Sequence, residues 1–292
     1  MQQFDPEILK NLYLPPADSH KGDNGRLLLV GGSHLFHAAS LWALTAASRI
    51  VDMVFYASVP ENNQIGQNAK QEFRNGIVIF RDDLESYAKE ADCIVIGPGM
   101  ERTNDEFRIT NKELSLEKIN KLENEGEQTY FLTKYLLEKF SDKKWVIDAG
   151  ALQMMELEWF KKLQGNIIIT PHQQEFERVF KLKPTSQNVE RMARELGIVI
   201  LLKGQTDTVC SPKKCIEISG GNAGMTKGGT GDVLAGLVGG LACKNDLFLS
   251  AVAGSYFNKK AGDVLYKKVG PFFNASDLAN EIPGVMKEEL DL

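Results

Sequence analysis

The sequence predicts an α/β protein built on one doubly wound, mostly parallel sheet. Short continuous apolar runs recur along the chain, each closed by glycine, proline or a polar turn, with helical stretches between them. Such runs fit strands buried on both faces, as parallel sheets require. Several runs also stop at glycines or ionisable residues, and open α/β sheets gather their ligands at the carboxyl ends of strands.

Taken in order, residues 1–20 read as a short helix and the stiff Pro15-Pro16 segment. Lys21-Gly22-Asp23-Asn24-Gly25 leads into the strand Arg26-Leu27-Leu28-Leu29-Val30, which stops at Gly31-Gly32-Ser33. Residues 38–50 are alanine-rich and helical; Met53-Val54-Phe55-Tyr56-Ala57 and Ile77-Val78-Ile79-Phe80 follow as strands. Cys93-Ile94-Val95-Ile96 is a strand ending at Gly97-Pro98-Gly99. Residues 101–141, rich in Lys, Glu and Asn, read as a polar insertion with a helix near 129–140, within a single domain spanning 1–292. Alternation resumes with Trp145-Val146-Ile147-Asp148 and Ile167-Ile168-Ile169-Thr170, then helices over 174–180 and 189–196. Ile198-Val199-Ile200-Leu201-Leu202 is a buried strand stopped by Lys203-Gly204. Thr208-Val209-Cys210 and Cys215-Ile216-Glu217-Ile218 flank Ser211-Pro212-Lys213-Lys214 as a hairpin, and helices over 249–267 and 277–290 complete the chain.

Composition narrows the partners. A net charge of −5 without any basic run argues against nucleic acid or an acidic membrane surface. No run approaches the ~20 apolar residues of a membrane span. Cys93, Cys210, Cys215 and Cys243 lack zinc-site spacing, and with no secretory leader in view they are expected to be four free thiols in a cytoplasmic protein.

The densest chemistry lies at residues 221–232, where Gly221, Gly224, Gly228, Gly229 and Gly231 precede Asp232 and the apolar helix Val233-Leu234-Ala235-Gly236-Leu237-Val238. A glycine loop entering a helix aims unpaired N–H groups at one point, where the helix dipole also favours an anion. Asp232 adds a carboxylate in the same turn, which makes the stretch a phosphate-handling site with a built-in base. It is neither a P-loop nor a dinucleotide fingerprint: Met225-Thr226-Lys227-Gly228 lacks the Gly-Lys-Ser/Thr order, and Asp232-Val233-Leu234 follows Gly229-Thr230-Gly231.

Gly228-Gly229-Thr230-Gly231-Asp232 resembles the anion hole of ribokinase-like kinases. The ordered set is similar, more narrowly, to the NAD(P)H-hydrate dehydratase family: Val30-Gly31-Gly32-Ser33, Ile96-Gly97-Pro98-Gly99, Asp148-Ala149-Gly150-Ala151-Leu152, Thr170-Pro171-His172-Gln173-Gln174-Glu175, Leu201-Leu202-Lys203-Gly204 and residues 221–236. The resemblance implies a ribokinase-like three-layer sandwich and an enzyme, a hydro-lyase that repairs hydrated NADH and NADPH with ADP or ATP and Mg²⁺. It implies that Asp232 is the base and that Gly229, Thr230 and Gly231 form the anion hole. By motif position, Ala39, Gly99, His172 and Asp232 face the hydrated dinucleotide, while Lys203, Gly204, Gln205, Thr206, Asp207 and Gly231 face the adenine nucleotide. Glu175 matches a position that related kinases use to order Mg²⁺ and water, although the first turn of a helix also explains an acidic residue there. Asp148 reads equally as a strand-end cap or a site residue. A homo-oligomer is implied as well.

Three departures fall on the substrate side: Gly150 replaces a family carboxylate, Met100-Glu101 follows Gly99, and Phe36-His37-Ala38-Ala39 replaces an aromatic-Gly-Ala pattern. The glycine loop and Asp232 would equally serve a kinase acting on a thiazole-, pyridoxal- or sugar-type alcohol, or persist in a nucleotide sensor without turnover.

Overall fold

The computed structural model describes residues 1–59, 75–103, 114–163 and 165–292. Its strands are β1 (Gln2–Gln3), β2 (Arg26–Val30), β3 (Met53–Ala57), β4 (Ile77–Val78), β5 (Cys93–Ile96), β6 (Lys144–Ile147), β7 (Ile167–Ile169), β8 (Val199–Leu202), β9 (Asp207–Cys210) and β10 (Cys215–Ile218). Among the described residues they form one sheet in the order β1-β10-β9-β8-β7-β6-β5-β2-β3-β4. All pairings are parallel except those β9 makes with β8 and β10. Strand order reverses between β2 and β5, so the switch point lies between the Gly31-Gly32 and Gly97-Pro98-Gly99 turns. There Gly32 N–H donates to the Pro98 carbonyl at 2.8 Å.

The helices are α1 (His37–Ala47), α2 (Leu84–Glu90), α3 (Leu116–Asn120), α4 (Glu125–Lys139), α5 (Ala149–Gln153), α6 (Leu157–Lys162), α7 (Gln173–Phe180), α8 (Ser186–Leu196), α9 (Thr230–Lys244), α10 (Leu247–Val269) and α11 (Ala275–Glu289). The continuous apolar strands are buried on both faces. In β2, Leu28 and Val30 join the core beneath α2, α4 and α7, whereas Leu27 and Leu29 join the opposite core beneath α1, α9 and α10. A third cluster, including Leu237, Phe257, Phe273 and Leu278, binds α9, α10 and α11 together. The α1–α9 contact is close because Gly236 offers no side chain; a Cβ there would meet the Ala43 backbone.

Several expectations change in detail. The strand at Ile77-Val78-Ile79-Phe80 is shorter than expected: β4 spans Ile77–Val78, paired with Phe55 and Tyr56 of β3, and Ile79 N–H adds one further bond to the Tyr56 carbonyl at 2.9 Å. Within the 101–141 stretch, residues 104–113 lie outside the described residues, and α4 seats Tyr130, Leu132 and Leu136 fully in the core. The expectation of four free thiols is wrong. Cys210 and Cys215 are bonded as a disulfide, because antiparallel pairing of β9 with β10 makes them register partners with Cα atoms 4.1 Å apart. Cys93 and Cys243 are free and buried. Among the described residues no helix is long and apolar enough to cross a membrane.

Candidate active site

The carboxyl ends of β6, β7 and β8 bring Asp148, His172 and Lys203 to one rim, and the N-terminus of α9 closes it. Gly229 caps α9 in the left-handed region (φ 96°), with no side chain capping the helix. The first amides of α9 therefore face the rim unclaimed by a cap. Glycine is required twice over at 229, since a Cβ would also run into the Trp42 ring of α1. Thr230 fixes the loop from within: its Oγ1 donates to the carbonyls of Met225 (2.8 Å) and Lys227 (3.1 Å).

Asp232 sits in the first turn of α9. Burial, then the neighbouring Asp148 and Glu175 carboxylates, push its pKa up to about 7, against the opposing pull of Lys203 and its own backbone N–H. Lys203 Nζ donates to Asp148 Oδ1 at 2.8 Å, with the lysine side chain 19% and the aspartate 2% exposed. Burial alone would lower the Lys203 pKa, but Asp148, Glu175 and Asp232 together raise it, so the ammonium stays charged. A Cβ on Gly231 would lie 3.3 Å from that ammonium, so Lys203 stands directly over the α9 N-terminus. Asp148 occupies the N-cap position of α5 without a side-chain capping bond; its carboxylate serves Lys203 instead.

A cavity of about 610 Å³ opens from this rim. His172, Lys203, Gly204, Gln205, Asp207 and Gly231 line it, whereas Thr206, expected beside them, does not. Asp207 is buried and held by protein groups, accepting from Gly204 N–H (2.9 Å) and Ser255 Oγ (2.7 Å). His172 is half-exposed and caps α7, its Nδ1 accepting from Glu175 N–H at 3.3 Å. The structure thus places His172, expected on the dinucleotide side, in the wall of the same cavity as the residues expected to face the adenine nucleotide. Ala39 and Gly99 meet at the switch point, where a Cβ on Gly99 would lie 3.0 Å from the Ala39 Cβ.

Sequence reasoning missed the part α10 plays. Asn258 Oδ1 is buried in the cavity wall with no hydrogen-bond partner, and Lys259 is buried beside it. The available signal was Asn258-Lys259-Lys260, following directly on the mostly apolar stretch 251–257.

Glu175, the residue weighed for Mg²⁺, spends both carboxylate oxygens within the protein. Oε2 accepts from His172 N–H and Oε1 from Gln153 Nε2, each at 2.9 Å. Among the described residues no three His, Cys, Asp or Glu side chains form a metal-holding group. The donor set fits an Mg²⁺ carried on nucleotide phosphates and reached through water, the usual preference of that ion, rather than a protein cage.

A family model described as NAD(P)H-hydrate dehydratase matches residues 27–284. The chain belongs to that family. It is similar to the ADP-dependent (S)-NAD(P)H-hydrate dehydratases of Nitrosopumilus maritimus (36% identical; 93% of this chain, 91% of that one) and Cenarchaeum symbiosum (33%; 92% and 91%). It is also 35% identical to the bifunctional NAD(P)H-hydrate repair enzyme Nnr of Methanocaldococcus jannaschii, and spans about half that relative's length (96% and 51%). Among solved structures, the family's ribokinase-like fold is shared with a ribokinase-like superfamily protein from Enterococcus faecalis (TM-score 0.79, 23% identical, covering 100% and 97%). It is shared too with the ADP/ATP-dependent NAD(P)H-hydrate dehydratase of Bacillus subtilis co-crystallised with ATP/Mg²⁺ (TM-score 0.78, 22%, 99% and 98%).

Proposed function

We propose that this protein dehydrates hydrated NADH and NADPH in the cytoplasm, with ADP as the phosphoryl donor, Mg²⁺ on the nucleotide phosphates and a homo-oligomer as the working form. The observation that carries the chemistry is Asp232, a carboxylate pushed up to about 7, beside the uncapped N-terminus of α9 and the Lys203 ammonium. The choice of ADP rests on the names of the two archaeal relatives that match over nearly their whole length.

Hydroxide is a poor leaving group, so direct loss of water from the hydrated ring is slow. Phosphorylation replaces it with phosphate. Asp232 accepts the proton of the ring hydroxyl as its oxygen bonds to the terminal phosphorus of ADP, and the bond to the AMP leaving oxygen breaks. Amides at the start of α9 and the Lys203 ammonium hold the negative charge that develops on the phosphoryl oxygens. Asp148 keeps that ammonium in place. Mg²⁺, when bound on the phosphates, offsets part of their charge. The ring nitrogen's electron pair then expels phosphate, and loss of a proton from the adjacent ring carbon restores the dihydronicotinamide. The balance is one NADH, one AMP and one phosphate from each hydrated NADH and ADP.

The switch-point turns at Gly31-Gly32 and Gly97-Pro98-Gly99 pack against each other and against α1 at Ala39, and the hydrated dinucleotide is read to approach on this side. Product analysis tests the reading. Incubation with hydrated NADH, ADP and Mg²⁺ is expected to yield NADH, AMP and phosphate. A phosphate ester formed from a thiazole-, pyridoxal- or sugar-type alcohol, with no NADH returned, would make the protein a kinase.

A further inference from the structure

Ser255, Lys259 and Asp263 stand four residues apart on α10 and so share one face of the helix. That face holds both walls of the nucleotide cavity. Ser255 Oγ donates to Asp207 Oδ2 at 2.7 Å. Lys259 Nζ donates to the carbonyls of Gly204 (3.0 Å) and Gln205 (3.1 Å) on one wall and of Gly220 (3.1 Å) on the other, and lies 3.2 Å from Asp207 Oδ1. One turn on, Asp263 accepts from Gly221 N–H at 3.1 Å and from Asn222 Nδ2 at 3.0 Å. The Gly220-Gly221 pair has φ of +113° and +79°, which lets the loop lie flat on α10; a Cβ on Gly220 would stand 3.2 Å from Asp263 Oδ2.

A lysine in a nucleotide cavity invites the reading that it binds phosphate. Here the three donors of the ammonium already face four acceptors, and the side chain is only 7% exposed. No donor is left for a ligand. The cation over the anion hole is Lys203, on a different element.

We propose that Lys259 is a positioning residue that sets nucleotide affinity by tying the 203–207 turn to the 220–222 loop across the cavity, without touching the phosphates. The proposal rests on the nucleotide reading of that cavity. Removing the ammonium leaves the buried Asp207 carboxylate without its cation and three carbonyls without their donor, so both walls are free to part. Because the ammonium is spent on the two walls and not on a ligand, its loss weakens every adenine nucleotide alike, whatever the length of the phosphate chain.

Lys259→Met keeps the aliphatic stem and removes the charge. Calorimetric titration of wild type and variant with AMP, ADP and ATP, alongside steady-state kinetics, reads the effect. The Kd is expected to rise about tenfold or more, by the same factor for all three nucleotides. The KM for hydrated NADH and the kcat at saturating ADP are expected to stay within about threefold. Unchanged nucleotide affinity overturns the proposal. A loss that grows with each added phosphate overturns it too and makes Lys259 a phosphate ligand, and so does a collapse of kcat at saturation. If Lys259→Met does not fold, Asp263→Ala cuts the second tie between α10 and the same loop without stranding a buried cation. It carries the same expectation, and an unchanged Kd in that variant is equally fatal. Wild type that binds ADP but returns no NADH fails the functional reading while leaving the affinity comparison intact.

Discussion

In the proposed reaction, Asp232 and Lys203 divide the work at the start of α9 between a base and a fixed charge. Asparagine at 232 keeps the shape of the side chain and removes the base. Asp232→Asn should lower kcat by about 10²–10⁴-fold with nucleotide Kd within a few-fold, as single-turnover kinetics and titration would read it. Wild-type kcat should climb as pH rises through about 7, where Asp232 loses its proton. The same shift acts on stability with a definite sign. A carboxyl whose folded pKa lies above its ordinary value of 3.8 contributes stability that is present in acid and lost as pH rises through about 7. The melting-temperature gain of Asp232→Asn over wild type should therefore be small at pH 4 and largest near pH 8. A gain that is flat with pH would mean that Asp232 titrates normally.

Elements decide which of these residues can meet. The loop before α9 was legible in the sequence because its glycines exceed what a helix cap needs, and the left-handed Gly229 against Trp42 shows why. Gly229→Ala should cost about 1–2 kcal/mol in backbone strain alone, more with the Trp42 clash, and chemical denaturation would measure it. Loss of activity without loss of stability would place the strain elsewhere. The roles of Asp148 and α10 were not legible. Asp148 reads equally as a cap or a site residue because the sequence does not say which strand end stands next to β6 in space, and Lys203 arrives there from β8, two strands away. Lys259 was hidden for a related reason: a lysine in a helix is ordinarily solvated, and only the packing of α10 against the two turns buries it. Asp148→Asn, which keeps the size and frees the ammonium, should raise the KM for ADP and lower kcat together, a signature a purely structural residue would not give. Steady-state kinetics at matched stability would test this.

At the scale of the whole molecule, the strand pattern foretold one mostly parallel sheet, since strands buried on both faces show as continuous apolar runs. The disulfide escaped because Cys210 and Cys215 become partners only through the hairpin register. The fold places the cavity proposed for the nucleotide beyond β8, beside Lys203 and the start of α9, while the glycine turns of the β2–β5 switch point lie on the same edge of the sheet. The most direct measurement is the return of dihydronicotinamide absorbance when hydrated NADH is mixed with protein, ADP and Mg²⁺. Full recovery is expected, with one phosphate released per NADH regained, no recovery without nucleotide, and a recovery about 10²–10⁴-fold slower with Asp232→Asn. Nucleotide bound tightly with no absorbance regained, with either ADP or ATP, would contradict the proposed function.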